Sequence, residues 1–162
     1  MSDDVLKHIL HEHRHLVRLF DDAYESFSKI SRSELDDSEL NEALQNAADD
    51  LEVALEDMIT HFNQEEEVLF VEIENRFPSM AEAIESLVQN HEAIAADTRW
   101  LLAFSGRRNH KSAEFEEALS VVSRVRDAIS AHTRDEARIY GEALSLMDEA
   151  SRAKMLDEMK EL

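Results

Sequence analysis

Between residues 40 and 69 the chain carries Leu40, Leu44, Ala47, Leu51, Leu55, Met58, Phe62 and Leu69 at helical spacing, with no glycine or proline among them. Apolar residues recurring every three or four positions over that length commit a segment to one face of a long amphipathic helix. Such a helix cannot stay folded alone, so it must bury its stripe against others like it. Three further segments repeat the pattern. The whole chain holds only two Gly and one Pro, with 43% apolar and 33% charged residues. That composition favours long helices over strands and turns.

The first segment runs from about Asp3 to Ile30, with Leu6, Leu10, Val17, Phe20, Tyr24 and Phe27 on its stripe. A polar, cap-rich stretch at 28–39 predicts a loop. The second segment extends from about Ser38 to Phe77, where Pro78 ends it and opens the next helix at a first turn. The third spans roughly Ser79 to Phe104 and carries Ile84, Leu87, Ile94, Thr98 and Leu101. Residues 105–111 form a second break, with Gly106 as a C-cap. The fourth covers about Ser112 to Met147, with Ala118, Val122, Val125, Ile129, Ile139 and Ala143 inward. Residues 148–162 predict a short amphipathic tail helix using Met155, Met159 and Leu162. The chain thus divides into a bundle over 1–147 and a tail over 148–162. Long helices joined by short loops predict an all-α, antiparallel up-down-up-down four-helix bundle, and 162 residues fit one domain.

A formal net charge of −20 argues against nucleic acid and anionic membrane surfaces as partners, because both attract basic patches. With no cysteine, disulfides, thiolate iron–sulfur ligation and cysteine catalysis are excluded. Met-Ser-Asp-Asp is not the basic start of a signal peptide, and no run of about 18 apolar residues predicts a transmembrane helix. The expectation is a cytoplasmic protein, a monomer or weak homo-oligomer.

The informative residues interrupt the stripes. Position 13 of the first inward line is His, the second line carries His61 and Glu65, the third His91, and the fourth His132 and Glu136. Residues four apart on a helix lie one above the other, so each Glu shares a face with the His before it. A buried ionised carboxylate without a partner is costly. Two of them beside four imidazoles make sense around a multivalent cation, and imidazole with carboxylate suits Fe, Mn or Zn. Six ligands exceed one tetrahedral zinc, but shared between two metals they leave positions open for a small ligand.

The His-x-x-x-Glu spacing alone is weak, since His8/Glu12 and His110/Glu114 repeat it. His8 is rotated about 140° from His13, and His110 falls roughly 33 Å along the axis from His132. His8, His11, His15 and His110 therefore read as solvated surface residues. Counted from the Pro78 turn, Glu65 and His61 fall level with His91.

In this order of motifs the chain resembles the hemerythrin-like, His-His-Glu cation-binding family. Glu-His-Arg-His-Leu (12–16), His-Phe-Asn-Gln-Glu-Glu-Glu-Val-Leu-Phe (61–70), Asn-His-Glu-Ala-Ile (90–94) and His-Thr-Arg-Asp-Glu-Ala-Arg-Ile-Tyr (132–140) carry the resemblance. It implies a non-haem centre of two Fe ions, oxo- or hydroxo-bridged, with Glu65 and Glu136 bridging and His13, His61, His91 and His132 terminal. Members of this family bind O2, sense O2 or redox state, respond to nitric oxide or peroxide, or handle iron. One departure stands out. Oxygen carriers of the family usually have a second His one turn after the helix-three His, and here that position is Ala95. The change argues against simple oxygen transport and for redox or peroxide chemistry or sensing, with Tyr140 and Glu92 as candidates to fill the position. The expected function is binding or sensing O2, nitric oxide or peroxide rather than dedicated catalysis. An iron-handling or repair protein and a peroxidase-like di-iron enzyme are the alternatives.

Overall fold

The computed structural model describes residues 2–32, 34–107 and 110–162; the side chains of Ser2–Asp4 and Ser112 lie outside that description. Ser33, Arg108 and Asn109, which fall in the two expected breaks, also lie outside it. The helices are α1 (Ser2–Arg32), α2 (Asp37–Gln64), α3 (Phe70–Arg76), α4 (Ala81–Gly106), α5 (Ser112–Ser145) and α6 (Glu149–Lys160). A π-helical turn, Glu65–Leu69, joins α2 to α3, and a 3-10 turn, Pro78–Met80, joins α3 to α4. No strand occurs among the described residues. The fold is the all-α bundle that the periodicity predicts.

Neighbours in the bundle follow the chain. α1 packs on α2 and α5, and α4 packs on the other sides of α2 and α5. Local chemistry fixes the ends. Asp36 accepts a hydrogen bond from the Glu39 amide at 2.8 Å, capping α2. Pro78 sits at the first position of its turn, where a missing N–H costs nothing. Asp148 caps α6 through the Ser151 amide at 2.7 Å. Arg152 Nη1 donates to the Leu144 carbonyl at 3.0 Å and to that of Met147, satisfying the open end of α5.

Two apolar clusters fill the interior. One gathers Phe20, Phe27, Leu51, Met58, Leu101, Phe104, Val122 and Val125. The other gathers Val5, Ile9, Leu69, Phe70, Ile84, Leu87, Ile139 and Tyr140, with Met155 and Met159 of α6 over its end. Between them lies a polar layer.

Packing corrects three details. The buried line of α1 is Val5, Ile9, His13, Leu16, Phe20, Ala23 and Phe27, whereas Leu6, Leu10, Val17 and Tyr24 flank it half-buried. The apolar face of α1 is wide enough to support either line, and α2 and α5 select the one centred between them. In α2, Ala54 is fully buried whereas Leu55 is half-buried. In the tail, Leu162 is exposed beyond the end of α6.

Candidate metal centre

His13 of α1, His61 of α2, Glu65 of the π-turn, His91 of α4, and His132 and Glu136 of α5 are all buried. They converge on one point. His13 Nε2 lies 2.9 Å from His61 Nε2, and His91 Nε2 lies 2.9 Å from His132 Nε2. His61 touches Glu65 and His132 touches Glu136, each one turn along its helix. Across the layer, His13 reaches Glu136 at 3.2 Å and Glu65 at 3.7 Å, while His91 reaches Glu65 at 3.5 Å and Glu136 at 3.6 Å. His13, Glu65, His132 and Glu136 by themselves offer ligand atoms within 4.8 Å of one another.

The π-turn explains how α2 serves both the site and the core beyond it. His61, Phe62, Gln64 and Glu65 are all buried, a face too broad for an unbroken α-helix to continue. The Phe70 amide donates to the Glu65 carbonyl, five residues back, and the extra residue resets the phase so that Leu69, Phe70 and Ile73 still point inward.

The outer shell turns the imidazoles. Thr133 Oγ1 donates its proton to the Ile129 carbonyl at 2.7 Å, so at 2.8 Å it must accept from His13 Nδ1. That leaves the lone pair of His13 Nε2 aimed at the centre. His91 Nδ1 faces the Glu66 carboxylate at 3.6 Å, and His132 Nδ1 faces the Asn90 amide at 3.4 Å. The Thr133 contact is the kind of outer partner that fixes ligand orientation in metal sites, whereas His91 Nδ1 makes no hydrogen bond. Phe62 stacks on His91 at 3.7 Å between centroids and Phe70 lies at 5.7 Å, holding that ring between two phenyl groups.

Charge inside the layer is unbalanced. Burial lowers the affinity of His13 for a proton and takes His132 down to about 3, so both imidazoles are neutral. Burial and the adjacent Glu65 charge push Glu136 well above its usual range. Burial also raises Glu65, but the neighbouring His61, Glu136 and His13 outweigh it and hold Glu65 well below. Without a cation the two carboxyl groups are thus driven apart, Glu65 towards its ionised form and Glu136 towards its neutral form. Burial, with Glu136 and Glu65, raises Tyr140 well above 10, so its phenol stays a neutral donor, 2.8 Å from Glu65 Oε2.

The residues fit a cation. Both Glu136 carboxylate oxygens and Glu65 Oε1 are buried without a hydrogen-bond partner, and four imidazole Nε2 atoms converge on them. A 2.9 Å separation is also that of neighbouring vertices around an octahedral ion with bonds of about 2.1 Å.

The remaining histidines separate into two groups. His11 is exposed as expected. His8, half-buried, faces Gln64 at 3.4 Å, and His15 pairs with Asp57 at 2.7 Å, so neither is simply solvated. His110 departs furthest, with a side chain only 3% exposed, stacked 4.1 Å from Phe104. Ala95 is buried one turn beyond His91, Tyr140 reaches the site and Glu92 faces outward.

Taken together, these features define a helical bundle with a buried His/Glu site suited to a metal cation. The family profile described as the hemerythrin HHE cation-binding domain matches residues 4–144, and the chain belongs to this family. No curated protein and no solved structure matches the chain significantly. Among the described residues no helix is long and apolar enough to cross a membrane.

Proposed function

We propose that His13, His61, Glu65, His91, His132 and Glu136 hold two iron ions, and that the protein binds or senses O2, nitric oxide or peroxide there. The observation that carries this reading is the pairing of imidazoles. One pair comes from α1 and α2, the other from α4 and α5, and between them lie the Glu65 and Glu136 carboxyl groups, with three of their four oxygens lacking a hydrogen-bond partner. That division supports one imidazole pair per ion with Glu65 and Glu136 shared. Iron so bound supplies the affinity and the electrons for diatomic ligands and peroxide, and the protein governs access and polarity.

This chain's residues have separable tasks. Thr133 holds His13 in the tautomer that presents Nε2. Tyr140 donates to Glu65 and is the one phenol positioned to give a hydrogen bond beside the centre. Phe62, Leu69, Ile94 and Ile129 are buried and keep bulk water from the layer. Ala95 places a methyl group where a further imidazole would reach, which keeps one position open for an exogenous ligand.

The test is metal content and optical spectra of protein purified without added metal, before and after exposure to O2, nitric oxide and peroxide. About two irons per chain and a ligand-dependent absorption band support the proposal. Stoichiometric zinc, or full iron content after all six residues are replaced, overturns it.

A further inference from the structure

A cleft of about 730 Å³ opens along the seam between α1 and α5, bordering the ligand cluster at His13. Leu10 and Val17 form its apolar walls, and His13 and Thr133 reach its floor. Three guanidinium groups surround it, Arg14 and Arg18 from α1 and Arg134 from α5.

That concentration is unusual in a chain with 37 acidic and 17 basic residues. Elsewhere Arg76, Arg107, Arg124 and Arg126 each pair with an Asp or Glu, and the other unpaired arginines among the described residues, Arg32, Arg99, Arg138 and Arg152, do not line the cleft. Among the described residues Arg14, Arg18 and Arg134 form no ion pair; Arg14 spends only its Nε, on the Leu10 carbonyl at 3.3 Å. Arg14 and Arg18 also stand four residues apart on one helix, where like charges repel. No carboxylate of the described residues makes direct contact with this trio. A cleft of this size with apolar walls and a few convergent polar groups has the dimensions of a small-molecule site, and guanidinium groups match carboxylate and phosphate geometry.

We infer that the α1–α5 cleft binds a small organic anion, its carboxylate or phosphate held by Arg14, Arg18 and Arg134 and its apolar body against Leu10 and Val17. An occupant would rest on His13 and so sit one side chain from the metal centre. The inference requires no particular metal there.

Calorimetric titration of the full chain as purified, repeated after chelation, tests it with octanoate, octanol and octylammonium. Octanoate should bind once per chain, at least about tenfold more tightly than either of the others, and more weakly as salt is raised. The double variant R14A/R18A and the single variant R134A should each weaken octanoate about tenfold while metal content and helicity hold. A preference between octanoate and octyl phosphate names the head group and supports the inference either way. Octanoate binding no tighter than octylammonium, or untouched by the arginine variants, overturns it. So does a dimer by light scattering that the R14A/R18A/R134A variant dissolves, which would make the occupant a second copy. Sedimentation with phosphatidylglycerol vesicles that depends on the same arginines would assign the cleft to a membrane surface and overturn it too.

Discussion

The same His-x-x-x-Glu pattern occurs at His132/Glu136 in the middle of α5 and at His110/Glu114 before and within its first turn, and the two build opposite environments. His132 meets a second imidazole at 2.9 Å and a carboxylate that is 1% exposed. His110 meets aromatic rings, stacked on Phe104 at 4.1 Å and edge-on to Phe115 at 5.2 Å. Its partner Glu114 is 34% exposed and is shared with Arg107 at 3.7 Å. Both histidines are withdrawn from water. Only the first is buried beside a carboxyl group whose two oxygens have no hydrogen-bond partner. What distinguishes a candidate metal ligand from a packed imidazole is thus the fate of the neighbouring acid.

The largest expected effect separates the two regions directly. Glu136→Gln should weaken metal binding by more than about a hundredfold, beyond what loss of an outer partner usually costs, whereas His110→Ala should leave metal content at the wild-type level. Metal analysis after dialysis reads both. In the metal-free state Glu136→Gln should be at least as stable as wild type, because burial and the adjacent Glu65 already push the Glu136 carboxyl towards its neutral form. A destabilised metal-free variant would mean that Glu136 has a structural partner instead.

Next in size is metal removal. Chelation should lower the unfolding midpoint of the wild type, with loaded protein gaining about 4 kcal/mol at a thousandfold excess of metal over Kd. Equal midpoints with and without chelator would remove the cation from the account of the polar layer. His110→Ala should show the same gain on loading as wild type.

A pH series sharpens the contrast further. An imidazole in the unfolded chain titrates near 6.5, while His132 in the fold does so at about 3 and burial lowers His13 as well. Below about 6.5 the unfolded chain takes up protons that the native layer refuses. Stability contributed by these two groups is therefore complete above that pH and is lost progressively as pH falls towards about 3. The raised Glu136 acts in the opposite sense, so metal-free Glu136→Gln removes that opposition. Between pH 6.5 and about 4.5 the imidazoles act above the range in which the lowered Glu65 adds to them. Denaturant midpoints that stay flat between pH 6.5 and about 4.5 would contradict neutral burial.

Smaller effects follow from single contacts. Tyr140→Phe removes the donor to Glu65 and should cost about 1 kcal/mol with metal retained and the absorption spectrum of the loaded protein shifted. An unchanged spectrum would leave Tyr140 as packing alone. His110→Ala should cost roughly 0.5–1.5 kcal/mol through its lost aromatic contacts, measurable only as stability.

Much of this was legible in the chain, for a definite reason. Helical phase decides which residues share a face, and phase is arithmetic on positions, so His13, His61, Glu65, His91, His132 and Glu136 could be read as one inward set. The outer shell was not legible in that way. Thr133 lies beside His132 in sequence but serves His13 on another helix, and Phe62 and Phe70 clamp His91 from a different segment. The burial of His110 escaped the same reasoning, because a residue before a helix has no phase to read and its neighbours Phe104 and Phe115 come from two helices.

By itself, then, the sequence determined four long helices, their order and the polar residues each turns inward, since these depend on local periodicity and chain-breaking residues. Only tertiary structure decided which line of α1 is buried, where α2 takes an extra residue in a π-turn, which nitrogen each imidazole presents, and that three arginines meet across a seam. Those outcomes depend on distances between segments far apart in the chain, and periodicity within one helix carries no information about what the next helix places opposite it.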